Sequence, residues 1–244
     1  MTDNRPTVAV FRPDDERLET AIELLESLDV KPIADPMLSV EPTGAQPRTD
    51  AAVVIFTSKT GAELVADDWT PGDATVCAIG EPTAAALRAN GIAVDIVPET
   101  YSSQGLVDAL GEQVDGLRVE VARSDHGSDM LLDGLESAGA YVHETVLYRL
   151  VRPANAGESV RRAAEGDLDA ALFTSSLTVE HFLAIASERG QRAAAIEGLS
   201  EAVVGTIGGP TRETAAGQGV DVDVVPEAAE FEALATAVID RLDR

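Results

Sequence analysis

The chain has 244 residues, 45% of them apolar, and a formal charge of −25 from 43 acidic against 18 basic side chains. That length and apolar content suit one large or two ordinary globular domains, and no run of 18 apolar residues offers a membrane helix. The charge excludes a nucleic-acid partner, because phosphate binding needs a basic footprint.

Val8–Phe11 reads as an apolar strand. Asp14 or Asp15 caps the helix after it, with Leu18, Ile22, Leu25 and Leu28 at helical spacing. Lys31–Val40, broken by Pro32 and Pro36, reads as a short strand plus a connector, and Glu41–Asp50 as a loop. Strand Val53–Phe56 leads through Thr57-Ser58 into a short helix. Strand Val76–Ile79, helix Thr83–Ala89 and strand Val94–Val97 follow, and Ser102 or Ser103 caps a helix over Gln104–Leu110. The second half runs as strand Arg118–Ala122, helix Ser128–Ser137 and an extended stretch Val142–Val151. A loop at Pro153–Glu158 and a helix through Arg161 come next. Strand Ala170–Phe173, a helix within Ser175–Arg189 and strand Val203–Ile207 follow. Another helix, strand Val222–Val225 and helix Glu230–Arg241 close the chain. Strands alternating with helices predict parallel sheets covered by helices on both faces.

One stretch occurs twice. Ala78–Glu99 and Thr206–Glu227 align without a gap, and ten of the 22 positions are identical, including Ile-Gly-x-Pro-Thr and the closing Val-Pro-Glu. Phe56-Thr57-Ser58 recurs as Phe173-Thr174-Ser175, and VAVFR at Val8 resembles VEVAR at Val119. The repeat divides the chain into two copies of one α/β unit, 1–116 and 117–240. Paired halves favour a ligand site between them.

In open α/β sheets ligands sit beyond the carboxyl ends of the strands. Thr57-Ser58, Pro82-Thr83, Thr174-Ser175 and Pro210-Thr211 are the four matching strand-to-helix corners. Each offers hydroxyls and unbonded amides suited to a carboxylate or phosphate, unless the hydroxyls only cap their own helices. Phosphate-loop, nucleotide-fingerprint and nucleophile-elbow motifs are absent. His126, His143 and His181 are scattered and Cys77 stands alone, so no metal site is expected and Cys77 reads as a buried structural thiol. His126, within SDHGSD, reads as an exposed loop residue. Tyr148 lies in the stretch that crosses between the halves, either as a packed ring or as an acid. The start, MTDNRPTVAV, lacks a basic and apolar leader, so a cytoplasmic location is expected.

Taken in order, VAVFRP, VVIFTSKTGAE, CAIGEPTAAALRANGI with VPETYSSQGLVDAL, DMLLDGLESAGAYVHETVLYRLV, FTSSLTVEHFL and the second Ile-Gly-Gly-Pro-Thr segment with VDVDVVPE resemble the uroporphyrinogen-III synthase family over nearly the whole chain. The resemblance implies two similar doubly wound parallel-sheet α/β domains joined by a two-stranded antiparallel connector. The first would be 1–36 plus 150–244 and the second 37–149, hinging at the connector. It implies cyclisation of the linear tetrapyrrole hydroxymethylbilane, with loss of water and inversion of ring D and without metal or organic cofactor. Tyr148 matches the family's tyrosine suggested as proton donor to the leaving hydroxyl, and a phenol keeps its proton at neutral pH. Thr57, Ser58, Thr83, Ser102, Ser103, Thr174, Ser175 and Thr211 match substrate-binding positions, and Arg12, Arg123 and Arg149 are carboxylate partners on the same reading. Thr60 and Ser128 depart from the family pattern, where relatives carry Asn and Arg. A monomer is implied, receiving substrate by transient hand-over from the preceding pathway enzyme, with no nucleic-acid or membrane partner. The alternative is a non-catalytic sensor of tetrapyrroles or other polyanions with the same fold.

The acidic residues are spread through helices and loops rather than gathered in a tail, and only Lys31 and Lys59 are lysines. This is a surface suited to high salt, where screening relieves carboxylate repulsion. The melting temperature is therefore expected to rise between low and molar salt. A flat or falling trend in a thermal-denaturation series would overturn that reading.

Overall fold

The computed structural model describes residues 5–65 and 69–242. Residues 1–4, part of the stretch read for a leader, lie outside them. The first elements are β1 (Thr7–Phe11), α1 (Glu16–Ser27), β2 (Lys31–Ala34), β3 (Ser39–Pro42), β4 (Val53–Phe56), α2 (Lys59–Leu64), β5 (Thr75–Ala78), α3 (Glu81–Ala89) and α4 (Ser103–Leu110). They are followed by β6 (Arg118–Ser124), α5 (Asp129–Ser137), β7 (Tyr141–Val151), α6 (Glu158–Glu165), β8 (Ala170–Phe173), α7 (Ser176–Glu188), α8 (Arg192–Glu201), β9 (Val203–Thr206), α9 (Gly209–Gly217) and α10 (Phe231–Leu242). One sheet has the order β2-β1-β8-β9 and the other β3-β7-β6-β4-β5. Strand β1 runs parallel to β2 and β8, and β8 to β9. Strand β4 runs parallel to β5 and β6, and β6 to β7.

The chain forms two compact units, Met1–Ser39 with Val151–Arg244, and Val40–Leu150. These units do not coincide with the two copies of the repeat, 1–116 and 117–240. The first copy gives β1 and β2 to one sheet and β4 and β5 to the other. The second copy gives β6 and β7 to the sheet of β4 and β5, and β8 and β9 to the sheet of β1 and β2. Each unit is a front half of one copy completed by the back half of the other.

Strand residues are apolar on both faces because helices cover both, as parallel sheets require. In the first unit Phe11, Phe173 and Val204 face a core shared with α6 to α9, while Val8, Val10 and Leu172 face α1 and α10. Phe11 stacks on Phe173 with centroids 4.4 Å apart, and Phe182 of α7 meets both edge-on. In the second unit Val54, Phe56 and Val76 pack towards α2 and α3, and Ile55, Cys77 and Val121 towards α4 and α5. Cys77 is fully buried, and desolvation, followed by the charge of Asp95, pushes its thiol up to about 12. No described helix is long and apolar enough to cross a membrane.

The expected strands Val94–Val97 and Val222–Val225 do not form. Each is reduced to one bridge, Cys77 with Ile96 and Gly205 with Val224. Asp95 and Asp223 explain the difference. Their carboxylates accept the Val76 and Val204 amides at 2.8 and 2.9 Å, so a side chain takes a donor that a further ladder would have used. The same stroke closes each sheet edge to pairing with other chains.

Two close approaches hold the helices of the first unit. A Cβ on Gly198 of α8 would lie 1.7 Å from the Ala163 carbonyl of α6, so only glycine allows that contact. Asp35, 2% exposed, accepts the Gly157 and Ser159 amides at 2.8 Å each and also the Ser159 hydroxyl. It thereby satisfies the amino terminus of α6 from the end of β2. Asp35→Ala would strand these donors in the interior. It is expected to cost about 2–4 kcal/mol in a denaturant titration, and an unchanged midpoint would contradict this role.

Candidate functional site

Each unit has a cavity at the carboxyl end of its parallel sheet, the place where such sheets bind ligands. That of the second unit measures 210 Å³ and is lined by Thr57, Ser58, Ser103, His126, Ser128 and Tyr148 among others. Ser58 and Ser128 on its wall, and Ser102 next to the lining Ser103, cap helices. Ser58 Oγ accepts the Gly61 amide at 3.0 Å, Ser102 Oγ the Gly105 amide at 3.0 Å, and Ser128 Oγ the Met130 amide at 3.3 Å. They are caps first, as their sequence position suggests.

Tyr148 reaches this cavity through an irregularity in β7. Arg123 pairs with Val146, but the next residue, Ser124, pairs with Tyr148, so β7 carries one extra residue. A bulge of this kind breaks the alternation of a strand and re-aims a side chain. Leu147 and Tyr148 are consequently both buried, and the Tyr148 phenol donates to Ser58 Oγ at 3.0 Å. The first unit repeats the bulge. Val10 pairs with Ala34 and Pro13 with Leu38, three residues along one strand matched by four along the other. Leu38 therefore holds the position of Tyr148.

Arg123 also lines the second cavity, but its guanidinium is committed. Nε donates to Glu144 at 2.6 Å, one terminal nitrogen to the Ser128 carbonyl at 2.7 Å, and the other approaches Asp129 at 3.4 Å. Asp125 sits 2.9 Å from His126 Nδ1 and accepts the Leu150 amide at 3.0 Å. Burial opposes ionisation of Asp125, but these hydrogen bonds outweigh it and hold the carboxyl below the ordinary range.

The cavity of the first unit measures 310 Å³ and is lined by Arg12, Arg17, Leu38, Thr174, Ser175 and Phe231 among others. Ser175 caps α7 in a reciprocal box with Thr178, and the Thr174 hydroxyl donates to the Phe11 carbonyl at 2.6 Å. Arg12 lies 4.8 Å over the Phe231 ring, and its buried Nε has no partner among the described residues. Burial, then the charge of Arg17, lowers its pKa, with Asp15 partly opposing. A guanidinium remains charged through such shifts, so Arg12 presents a desolvated cation with an open donor.

Of the residues expected from sequence, Thr57, Ser58, Ser103, Arg123 and Tyr148 gather in the second cavity, and Arg12, Thr174 and Ser175 in the first. Ser102 lies beside the former as a cap. Thr83 and Thr211 are buried in the first turns of α3 and α9, whose caps are Gly80 and Gly208, and Arg149 is exposed. None of these three lines either cavity. Sequence reasoning missed Phe231, which forms the floor under Arg12, and gave no role to His126, which lines the second cavity. A further cavity of 170 Å³ lies at the amino ends of β6 and β7. There the fully buried Glu120 holds His143 Nδ1 at 2.8 Å and the Thr145 hydroxyl, which pins the two strands together.

The model of the family described as uroporphyrinogen-III synthase HemD matches residues 19–236. The chain belongs to the uroporphyrinogen-III synthase family. A family member from Methanothermobacter thermautotrophicus is 33% identical over 90% of this chain and 92% of its own. The uroporphyrinogen-III synthase of Synechococcus elongatus is 29% identical over 56% and 53%. Among solved structures, a mutant uroporphyrinogen III synthase from the extremely thermophilic bacterium Thermus thermophilus superposes with a TM-score of 0.68 at 18% identity, covering 97% of this chain and 98% of that one. The enzyme from Helicobacter pylori gives 0.64 at 15% identity, covering 97% and 99%. At such identities the structures establish the shared α/β fold, while the family model and the Methanothermobacter relative establish membership.

Within this uroporphyrinogen-III synthase family fold, the side chain of Arg123 is 6% exposed and supports β6, β7 and the start of α5. Arg123→Ala is expected to lower stability by about 2–4 kcal/mol, because it removes charge-assisted bonds and leaves their acceptors unmatched. A urea titration measures this. Unchanged stability would instead mark Arg123 as free for substrate.

Proposed function

We propose that this chain cyclises hydroxymethylbilane to uroporphyrinogen III, with loss of water and inversion of ring D. The observation that carries the reading is the Tyr148 phenol, brought by the β7 bulge to a cavity at the carboxyl end of the second sheet. Its role is to supply the proton that the departing hydroxyl needs, and general acid catalysis of this kind accelerates a step by about 10²–10⁴-fold. Such an acid favours the enzyme over the sensor alternative, which needs none.

The substrate bristles with carboxylates. Arg12, desolvated on Phe231 and with an open Nε donor, suits one of them, and the amino terminus of α7 at Ser175 suits another. Thr57, Ser103 and Ser128 offer neutral donors in the second cavity. Neutral donors let a protein of charge −25 hold an acidic substrate without many competing cations. Thr83, Thr211 and Arg149 take no direct part on this reading. Holding the bilane ends for closure can contribute about 7–11 kcal/mol, as positioning does in intramolecular reactions. The two compact units act as its two domains. The protein works in the cytoplasm of a salt-rich cell as a monomer and receives substrate by brief hand-over from the preceding enzyme.

The test supplies hydroxymethylbilane in molar salt and separates product isomers. Uroporphyrinogen III is expected above the type I isomer that forms unaided, and product consisting only of type I would overturn the activity.

A further inference from the structure

The Ser58 hydroxyl is the meeting point of two hydrogen bonds, and both arrive at its oxygen. The Gly61 amide donates to it at 3.0 Å and the Tyr148 phenol at 3.0 Å. A hydroxyl has two lone pairs and one proton. With both lone pairs taken, the Ser58 proton is the part left to give, and among the described residues no protein group accepts it. Ser58 is half-buried on the cavity wall, and Tyr148 is the more enclosed of the two at 6% exposure.

The first unit shows what this corner looks like without that arrangement. Leu38 stands where Tyr148 stands, and Thr178 where Gly61 stands. Thr178 closes a reciprocal box with Ser175, its hydroxyl donating to the Ser175 carbonyl at 2.7 Å. In the second unit the missing side chain makes room. A Cβ on Gly61 would meet Ser58 Oγ at 3.0 Å and Leu147 Cδ1 at 3.2 Å, against the surface that the phenol crosses. Helix capping alone is served equally well by either corner. The second differs by joining its capping serine to a phenol.

We infer that Ser58 is a catalytic residue, passing the Tyr148 proton to the leaving hydroxyl. The inference rests on the activity proposed above. As the C–O bond of the hydroxymethyl group breaks, its electron pair goes to oxygen. The Ser58 proton joins that oxygen and completes a water molecule, while the Tyr148 proton moves to Ser58. The positive charge left on the pyrrole chain is discharged when ring closure expels a ring proton, which returns through Ser58 to the phenolate. No oxidant, reductant or co-reactant is needed.

Four variants and a double variant test the relay, with kcat, KM and product isomer as readouts. Ser58→Asn keeps a side-chain acceptor at the cap but has no hydroxyl, so it is expected to melt with the wild type and lose about 100-fold in kcat at unchanged KM. Ser58→Ala and Tyr148→Phe are expected to lose as much. The double variant Ser58→Ala/Tyr148→Phe is expected to be no worse than either single one, because the two act as one unit. Ser58→Thr restores the hydroxyl and is expected to recover most of the rate. Full turnover by the folded Ser58→Asn protein, or losses that multiply in the double variant, would overturn the relay while leaving the activity intact. Wild-type protein that yields only the type I isomer would overturn the activity and the relay together.

Discussion

A helix that starts at the carboxyl edge of a parallel sheet begins with amides its own turns cannot bond. That constraint shapes most of the described helix starts, though not those of α3 and α9, which begin at glycines. Asp15, Ser58, Ser102, Ser128 and Ser175 each turn a side-chain oxygen back onto a first-turn amide. Asp35 performs the same service for α6 from a distant strand. The polar groups at the carboxyl edges were therefore first recruited by the backbone, and ligand chemistry is built from what the caps leave over. Arg12 with its open Nε, and the spare proton of Ser58, are such remainders.

One duplication has yielded two unequal sites, although each sheet joins strands from both copies. The bulge before Leu38 and the bulge before Tyr148 are retained in both units, and so are the edge carboxylates Asp95 and Asp223. Side chains at equivalent positions have diverged, with leucine and threonine in one unit and tyrosine and glycine in the other. The backbone device is shared, and the acid is placed in only one of its two copies.

Much of the fold was legible because parallel strands covered on both faces are continuous apolar runs, and Val8–Phe11, Val53–Phe56 and Ala170–Phe173 read as such. The serine and threonine corners were equally plain, since a hydroxyl after an apolar run is a cap signal. Val94–Val97 and Val222–Val225 misled because their composition is that of strands, while the deciding bond comes from an aspartate side chain within each. The repeat was visible, but its sequence order concealed the interleaving, which depends on pairings far apart in the chain. Thr83 and Thr211 looked like presented hydroxyls, yet the preceding glycines take the cap position and turn both threonines inward. Arg123 resembled Arg12 in position at the end of its strand. Only Glu144 and the Ser128 carbonyl, brought in by neighbouring elements, reveal that its charge is already spent.

The interleaving also sets an order of events at the ribosome. Strand β1 emerges long before its neighbour β8 is made, and Thr7 bonds to Asp169, 162 residues later. At about 5–20 residues per second, the opening βαβ segment waits roughly 8–32 s for its partners. The unit Val40–Leu150 is meanwhile synthesised without interruption and holds the strands of its sheet but for the end residues Ser39 of β3 and Val151 of β7. The middle unit can therefore close first, while the apolar β1 waits for its neighbour β8. A nascent chain halted before Ala170 would carry one finished unit and one open sheet edge.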